Sequence, residues 1–437
     1  MEISVEKIKP SSPTPHHLRI YNISLLDQMI PFVYIPLVLY FRGAGSSNNN
    51  DDDKIQHLKE SLSQTLASFY PFAGVIRDAL SVDCSDQGLP FYVTKVKSQM
   101  KDFLQNPNFE FINKFFPREY NQEKQTGPGD NVMLIQLNCF DCGGIAMSIT
   151  FAHLIADIAS VSTFLRCWAT NARGLGLSSH VSPLLCTAQS SFPQNPTLPS
   201  NLIPFNNFLK YSIGGKFVTR RYVFDASALS FLKTQLSSSA ASRVNVVTAL
   251  VWKCFMAAVV EETSGKDGKP FLMTQAVNLR KRAAPQFPDD NFGNMVWVPK
   301  IVCSSPEEKG LEDLAWEVKR GIANIDGEFV RRLGDDGLNE YLEELRNEMP
   351  QQANWLCFSS WVNMGLYEVD FGWGKPVWLS SYFVQHSETV VIGNVVMLMD
   401  GRDGGIEALA VLDQKYVAGF EKNDLIRNYA RVNPSVT

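Results

Sequence analysis

The chain has 437 residues, with 40 Lys plus Arg against 45 Asp plus Glu, for a net charge of −5. Only 19% of residues are charged and 45% are hydrophobic, so a large share of the chain must be buried. The mild acidity excludes the basic stripe of a nucleic-acid binder, and eight scattered cysteines exclude a disulfide scaffold. At about 100–200 residues per domain, the length allows about two to four domains.

In chain order, Met1 to Pro15 lacks the apolar stretch of a signal peptide, and Pro10 to Pro15 forms a Pro/Ser/Thr lead-in. Met29 to Phe41 is the longest apolar run; it has strand character, contains two prolines and is too short to span a bilayer. These features predict a cytoplasmic protein with no membrane partner. Gly43 to Asp53 is a polar loop. Leu58, Leu62, Leu66 and Phe69 recur at helical spacing and predict a helix over Ile55 to Phe69. Short strands follow at Gly74 to Ile76, Phe91 to Val96 and Val132 to Phe140. Cys139 and Cys142 make a C-x-x-C with no second pair and no completing histidine, so no metal site is expected. Ile145, Met147, Ile149 and Phe151 alternate as in a half-buried strand, and Leu154 to Ala172 reads as the helix after it. Leu175 to Asn207, rich in Ser, Pro and Asn, reads as a long crossover. Beyond it come a strand at Phe217 to Phe224, a helix over Arg243 to Glu261, a charged helical stretch from Glu307 to Glu348, and a final region of strands and turns. Helices mixed with many short strands predict an α/β layered protein of two similar halves.

Two motifs stand out. Ala152-His153-Leu154-Ile155-Ala156-Asp157 lies where the alternating strand stops. A histidine there can project into a cleft, and an imidazole of pKa near 6.5 can take a proton and return it. Asp157 can cap the following helix, orient the imidazole, or pair with a distant cation. The second motif, Asp370-Phe371-Gly372-Trp373-Gly374-Lys375-Pro376, has two glycines and a proline in seven residues and predicts a tight loop.

Together, the His-x-x-x-Asp and the Asp-Phe-Gly-Trp-Gly-Lys-Pro loop resemble the plant BAHD acyltransferase family, which transfers acyl groups from coenzyme A thioesters to alcohols or amines. Further segments resemble its blocks in order: Ser11 to Pro15, Leu25-Leu26-Asp27-Gln28, Phe69 to Gly74, Phe140 to Gly144, Gln275 to Arg280, Asn291-Phe292-Gly293-Asn294, and Ser359-Ser360-Trp361. The resemblance spans the whole chain. It implies two chloramphenicol-acetyltransferase-like domains of mixed sheets flanked by helices, with the active-site channel between them: residues 1–180 carrying His153, a crossover at 181–216, and residues 217–437 carrying the Trp373 loop.

The resemblance also implies roles. His153 is the general base and Trp373, beside Gly374, the oxyanion donor, with no acyl-enzyme. Asp157 either orients the imidazole or forms a salt bridge with Arg280, and Asp370 builds its loop. The co-substrate is acyl-CoA, expected to be acetyl-CoA, and the partner is a small-molecule alcohol; the protein is expected to be a monomer. Candidates for holding the CoA phosphates are Lys216, Arg220, Arg221, Arg243, Arg280, Lys281 and Arg282, and Asn294, Ser360 and Trp361 are expected to line the channel and contact the co-substrate. Leu25 to Gln28, Phe140 to Gly144 and Ser359 to Pro376 resemble the branch acting on alkaloid and terpenoid alcohols, with acylsugar and volatile-ester acyltransferases as neighbours. Competing readings are a serine hydrolase, for which the chain lacks a G-x-S-x-G elbow, and a ligand-binding homologue without activity.

Overall fold

A computed structural model of the protein describes residues 3–43, 51–120, 126–176, 188–203, 206, 208, 211, 215–236, 242–334, 337–381 and 393–436. Much of the expected crossover at 181–216 and most of the polar loop after Gly43 lie outside the described residues.

Two mixed sheets organise the chain. The first has six strands in the order Ile3–Ile8, Leu89–Val96, Met133–Phe140, Ile145–Ala152, Tyr34–Phe41, Trp378–Ser380. Its strands pair antiparallel except Leu89–Val96 with Met133–Phe140, which run parallel. The second has seven, in the order Lys300–Cys303, Phe271–Gln275, Asn354–Ser360, Asn394–Asp400, Ile406–Asp413, Phe217–Phe224, Arg431–Val432. Phe271–Gln275, Asn354–Ser360 and Asn394–Asp400 run parallel to one another. This mixed α/β architecture is the fold class expected from the sequence.

The alternation at Ile145 to Phe151 predicts a half-buried strand, but every residue of Ile145–Ala152 is buried. The strand is interior to its sheet, and its smaller residues also face protein: Ser148 and Ala146 receive Asn138 Nδ2 through Oγ and the carbonyl oxygen. The helix after it begins at Ile158, not Leu154, because residues 153–157 form a turn and Asp157 is the N-cap. The charged stretch resolves into helices Leu311–Ala323, Gly327–Arg332 and Leu338–Asn347.

Two elements escape sequence reasoning. Ile3–Ile8, ahead of the Pro10 to Pro15 lead-in, is an edge strand paired with Leu89–Val96. Trp378–Ser380 comes from the later half yet pairs with Tyr34–Phe41 in the first sheet, where Trp378 stacks on Tyr40 with ring centroids 5.0 Å apart. The helix Arg243–Glu262 is long and apolar enough to cross a bilayer, but 67% of its apolar window is buried. It packs against the helices Leu311–Ala323 and Gln414–Lys422 and against Asn354–Ser360, as a core helix does.

Candidate active site

A cavity of about 170 Å³ opens between the two sheets. Val33, Ile35, Phe151 and His153 wall it from the first sheet and its turns; Thr274, Ala276, Asn278, Phe358, Ser359, Ser360, Val395 and Met397 wall it from the second half. Trp361 and Met364 also line it. The lining is mostly apolar, with a few polar groups among it, as in sites for small organic molecules.

His153 is the first residue after the buried strand, and its backbone N–H donates to the Val33 carbonyl at 2.8 Å. Its Nδ1 lies 3.1 Å from the Ala156 carbonyl oxygen. A carbonyl can only accept, so Nδ1 carries the proton and Nε2 keeps the lone pair of the neutral ring. Burial pushes the imidazole pKa below 6.5, against the opposing pull of the Ala156 carbonyl and Asp157. The ring is therefore neutral at pH 7 and able to accept a proton.

Asp157 points away from that ring. Its Oδ2 accepts from Arg280 Nη1 at 2.7 Å and Met295 N at 3.1 Å; its Oδ1 accepts from Arg280 Nη2 at 3.0 Å and from Ser160 N and Oγ at 2.9 and 3.0 Å. Burial opposes the charge, but Arg280 and these bonds outweigh it and hold the carboxyl below its ordinary value. Arg280 donates further to the carbonyls of Asn291 and Gly293. Of the roles open to Asp157, the geometry is that of a helix cap and salt-bridge partner that ties the turn to the second half.

Asn294 sits behind the histidine. It is fully buried and is not part of the cavity wall. Its Nδ2 donates to the His153 carbonyl oxygen and to Asp27 Oδ1, both at 2.7 Å, so it supports the histidine's backbone. Asp27 also receives Asn294 N, Ser24 N and Ser24 Oγ. With no cation bonded to it among the described residues, burial pushes its pKa up to about 6 despite those bonds. Sequence reading assigned Asp27 no role, although Ser24-x-x-Asp27 has the spacing of a helix capping box, which it forms.

Asp370 Oδ1 accepts from Gly372 N at 2.8 Å and Gly374 N at 3.0 Å, and both glycines have positive φ, 99° and 103°, which only glycine adopts at little cost. Phe371 seats the loop on Trp168, with centroids 4.9 Å apart. Trp373 stacks on Phe371 and meets Phe41 edge-on. Its indole Nε1 is buried without a hydrogen-bond partner, and none of Asp370, Trp373 or Gly374 lines the cavity. The aromatic stack packs the indole against the first core.

Most of the expected phosphate-binding cations are engaged elsewhere. Arg220 pairs with Glu421, Arg221 with Glu407, Arg280 with Asp157 and Lys281 with Asp289. Arg282 Nη1 donates to the Ile322 and Ile325 carbonyls, both at 2.8 Å, at the end of the helix Leu311–Ala323, a favourable place for a cation. Lys216 is exposed. Arg243 lines an open cleft together with Arg42 and Arg402, two cations that no local signal marks in the sequence. Asn363 and Gly365 face this cleft while Met364, between them, faces the His153 cavity, so the two spaces share a wall. Ser360 and Trp361 line the cavity.

A two-sheet fold with a neutral histidine in an apolar cavity between the halves is the arrangement of an acyltransferase of the chloramphenicol-acetyltransferase type. Residues 2–425 match the model of the Transferase family, and the chain belongs to this family, the BAHD acyltransferases. It is 36% identical over 456 aligned positions to epi-neemfruitin B 7-O-acetyltransferase of Melia azedarach, covering 99% of this chain and 98% of that one. It is 35% identical to stemmadenine O-acetyltransferase of Catharanthus roseus, covering 93% and 92%. The crystal structure of vinorine synthase superposes with a TM-score of 0.78 at 31% identity, covering 96% of each chain. The protein is an acyltransferase.

Proposed function

We propose that the protein moves an acetyl group from acetyl-CoA to a hydroxyl of a bulky, largely apolar specialised metabolite. The observation that carries this reading is His153, its Nδ1 held by the Ala156 carbonyl and its ring neutral, beside an apolar cavity. The relatives named above are O-acetyltransferases by name, which supports acetyl as the group transferred. The cleft of Arg42, Arg243 and Arg402 supplies the local cations that the CoA phosphates require on a mildly acidic protein.

In this reading His153 Nε2 takes the acceptor's hydroxyl proton as that oxygen bonds to the thioester carbonyl carbon. When the tetrahedral intermediate collapses, the C–S bond breaks and the imidazolium returns the proton to the departing sulfur. The products are the acetate ester and free CoA, and no protein nucleophile is acylated. Asp157 and Arg280 hold the turn that presents His153. The test is incubation with acetyl-CoA and a panel of terpenoid, alkaloid and sugar alcohols, following free thiol and the acetyl mass gain. His153→Ala should lower turnover by about 10²–10⁴-fold; retention of most of the activity would falsify the general-base role.

A further inference from the structure

The transition state of this transfer places negative charge on the thioester oxygen, and a donor must already stand beside it. Trp373 does not serve, because its Nε1 is buried in the aromatic stack. Among the described residues, the His153 cavity offers a different donor. Asn278 ends the short strand Val277–Asn278 and lines the cavity together with His153. Its side-chain oxygen is fixed: Oδ1 accepts from the backbone N–H of Arg280 at 3.0 Å and from Arg280 Nη1 at 3.3 Å. Both partners are donors only, so the amide has a single orientation, with oxygen toward Arg280 and NH2 on the other side. Arg280 is itself held by Asp157, Asn291 and Gly293, so the Asn278 amide is braced from behind by a buried ion pair.

We propose that Asn278 Nδ2 is the oxyanion donor of this acyltransferase. As the acceptor oxygen bonds to the carbonyl carbon, the C=O π pair moves onto the oxygen, to which Asn278 Nδ2–H donates a hydrogen bond; the pair returns to the carbonyl when the C–S bond breaks and the sulfur leaves with its electrons. The amide pays no reorganisation at that moment, because Arg280 has already set its orientation. The bracing also gives the Asp157–Arg280 pair a second function: it holds the base through the 153–157 turn and the donor through Asn278. The proposal rests on the acyl-transfer reading above.

The test is the isosteric exchange Asn278→Asp, which keeps an acceptor for both Arg280 donors and removes the Nδ2 donor. With acetyl-CoA and whichever acceptor the wild type acetylates, the expected result is a kcat lower by about 10²–10³-fold with KM nearly unchanged, read at a pH above the imidazole titration of each protein. Asn278→Ala, which adds no carboxylate beside His153, should show the same kcat loss. Trp373→Phe should keep kcat within about threefold of the wild type, since the ring stack survives and the Nε1 donor is unused. A kcat preserved in Asn278→Ala, a loss confined to KM, or a Trp373→Phe enzyme as impaired as Asn278→Asp would overturn the assignment. A wild type that acetylates nothing in the panel sinks the acyl-transfer reading itself, an outcome distinct from an active wild type with an unaffected Asn278 variant.

Discussion

Replacing Asp157 with alanine removes the anion from a pair whose side chains are only 1% exposed for Arg280 and 4% for Asp157. The guanidinium would keep its bonds to the Asn291 and Gly293 carbonyls but lose its counter-charge, which for a buried pair costs about 3–5 kcal/mol. The helix Ile158–Ala172 would lose its N-cap bond to Ser160 N, worth about 1 kcal/mol. The expected loss is therefore about 4–6 kcal/mol, a large part of the roughly 5–15 kcal/mol that keeps a typical protein folded. Urea denaturation followed by tryptophan fluorescence should show a much lower midpoint and a reduced soluble yield. Adding Arg280→Met should recover much of the loss, because no unpaired charge then remains buried. The pH dependence has a defined sign: the folded carboxyl lies below its ordinary value of 3.8. Its stabilisation is therefore full above the unfolded pKa and lost as pH falls through the lower folded value. An Asp157→Ala protein with an unchanged urea midpoint would refute this reasoning.

Two further outcomes follow from the same turn. Because burial holds the His153 pKa below 6.5, kcat/KM should rise along a limb whose midpoint is below that value and stay flat through neutral pH; a midpoint above 6.5 would contradict the neutral, carbonyl-bound imidazole. Asn294→Asp should set a second carboxylate against Asp27 and against the His153 carbonyl, both of which now accept from Asn294 Nδ2. Unpaired buried acceptors of this kind cost about 3 kcal/mol or more when charged, so the urea midpoint should fall, and an unchanged midpoint would show that the Asp27–Asn294–His153 chain carries no load.

Local pattern made the long elements legible. The spacing of Leu58, Leu62 and Leu66 marks the helix Asp51–Ser68, and all three are fully buried. The alternation at Ile145 to Phe151 marks a strand. It does not tell how many neighbours that strand has, so the polar-looking positions were expected to face water when they face Asn138. Ile3–Ile8 and Trp378–Ser380 were missed because each owes its strand character to a distant partner, Leu89–Val96 and Tyr34–Phe41. In the site, His153 and Asp157 were visible as a motif, and Arg280 as a partner through the family resemblance. The direction of a side chain was not visible. Trp373 sits in a recognisable loop, yet whether its indole faces the cavity or the core depends on Phe41 and Phe371. The cation cluster was hidden for the same reason: a sequence lists arginines, and only packing shows that Arg221 faces Glu407 and Arg282 a helix end while Arg42, Arg243 and Arg402 meet in one cleft.

The four-residue spacing of histidine and aspartate has a structural explanation that does not involve proton relay. The chain must leave a buried strand, turn, and start a helix whose first N–H groups need an acceptor. His153, at the exit, faces the cavity, and Asp157, at the helix cap, faces Ser160 and Arg280. Between them, Ala156 presents the carbonyl that sets the imidazole tautomer. A carboxylate in that position would also fix the tautomer, but it would raise the imidazole pKa and favour the charged ring. A carbonyl orients the ring without that charge. The base thus stays neutral at pH 7 while the carboxylate four residues on is fully occupied in holding the two halves together, and the reacting centre needs a single titrating group.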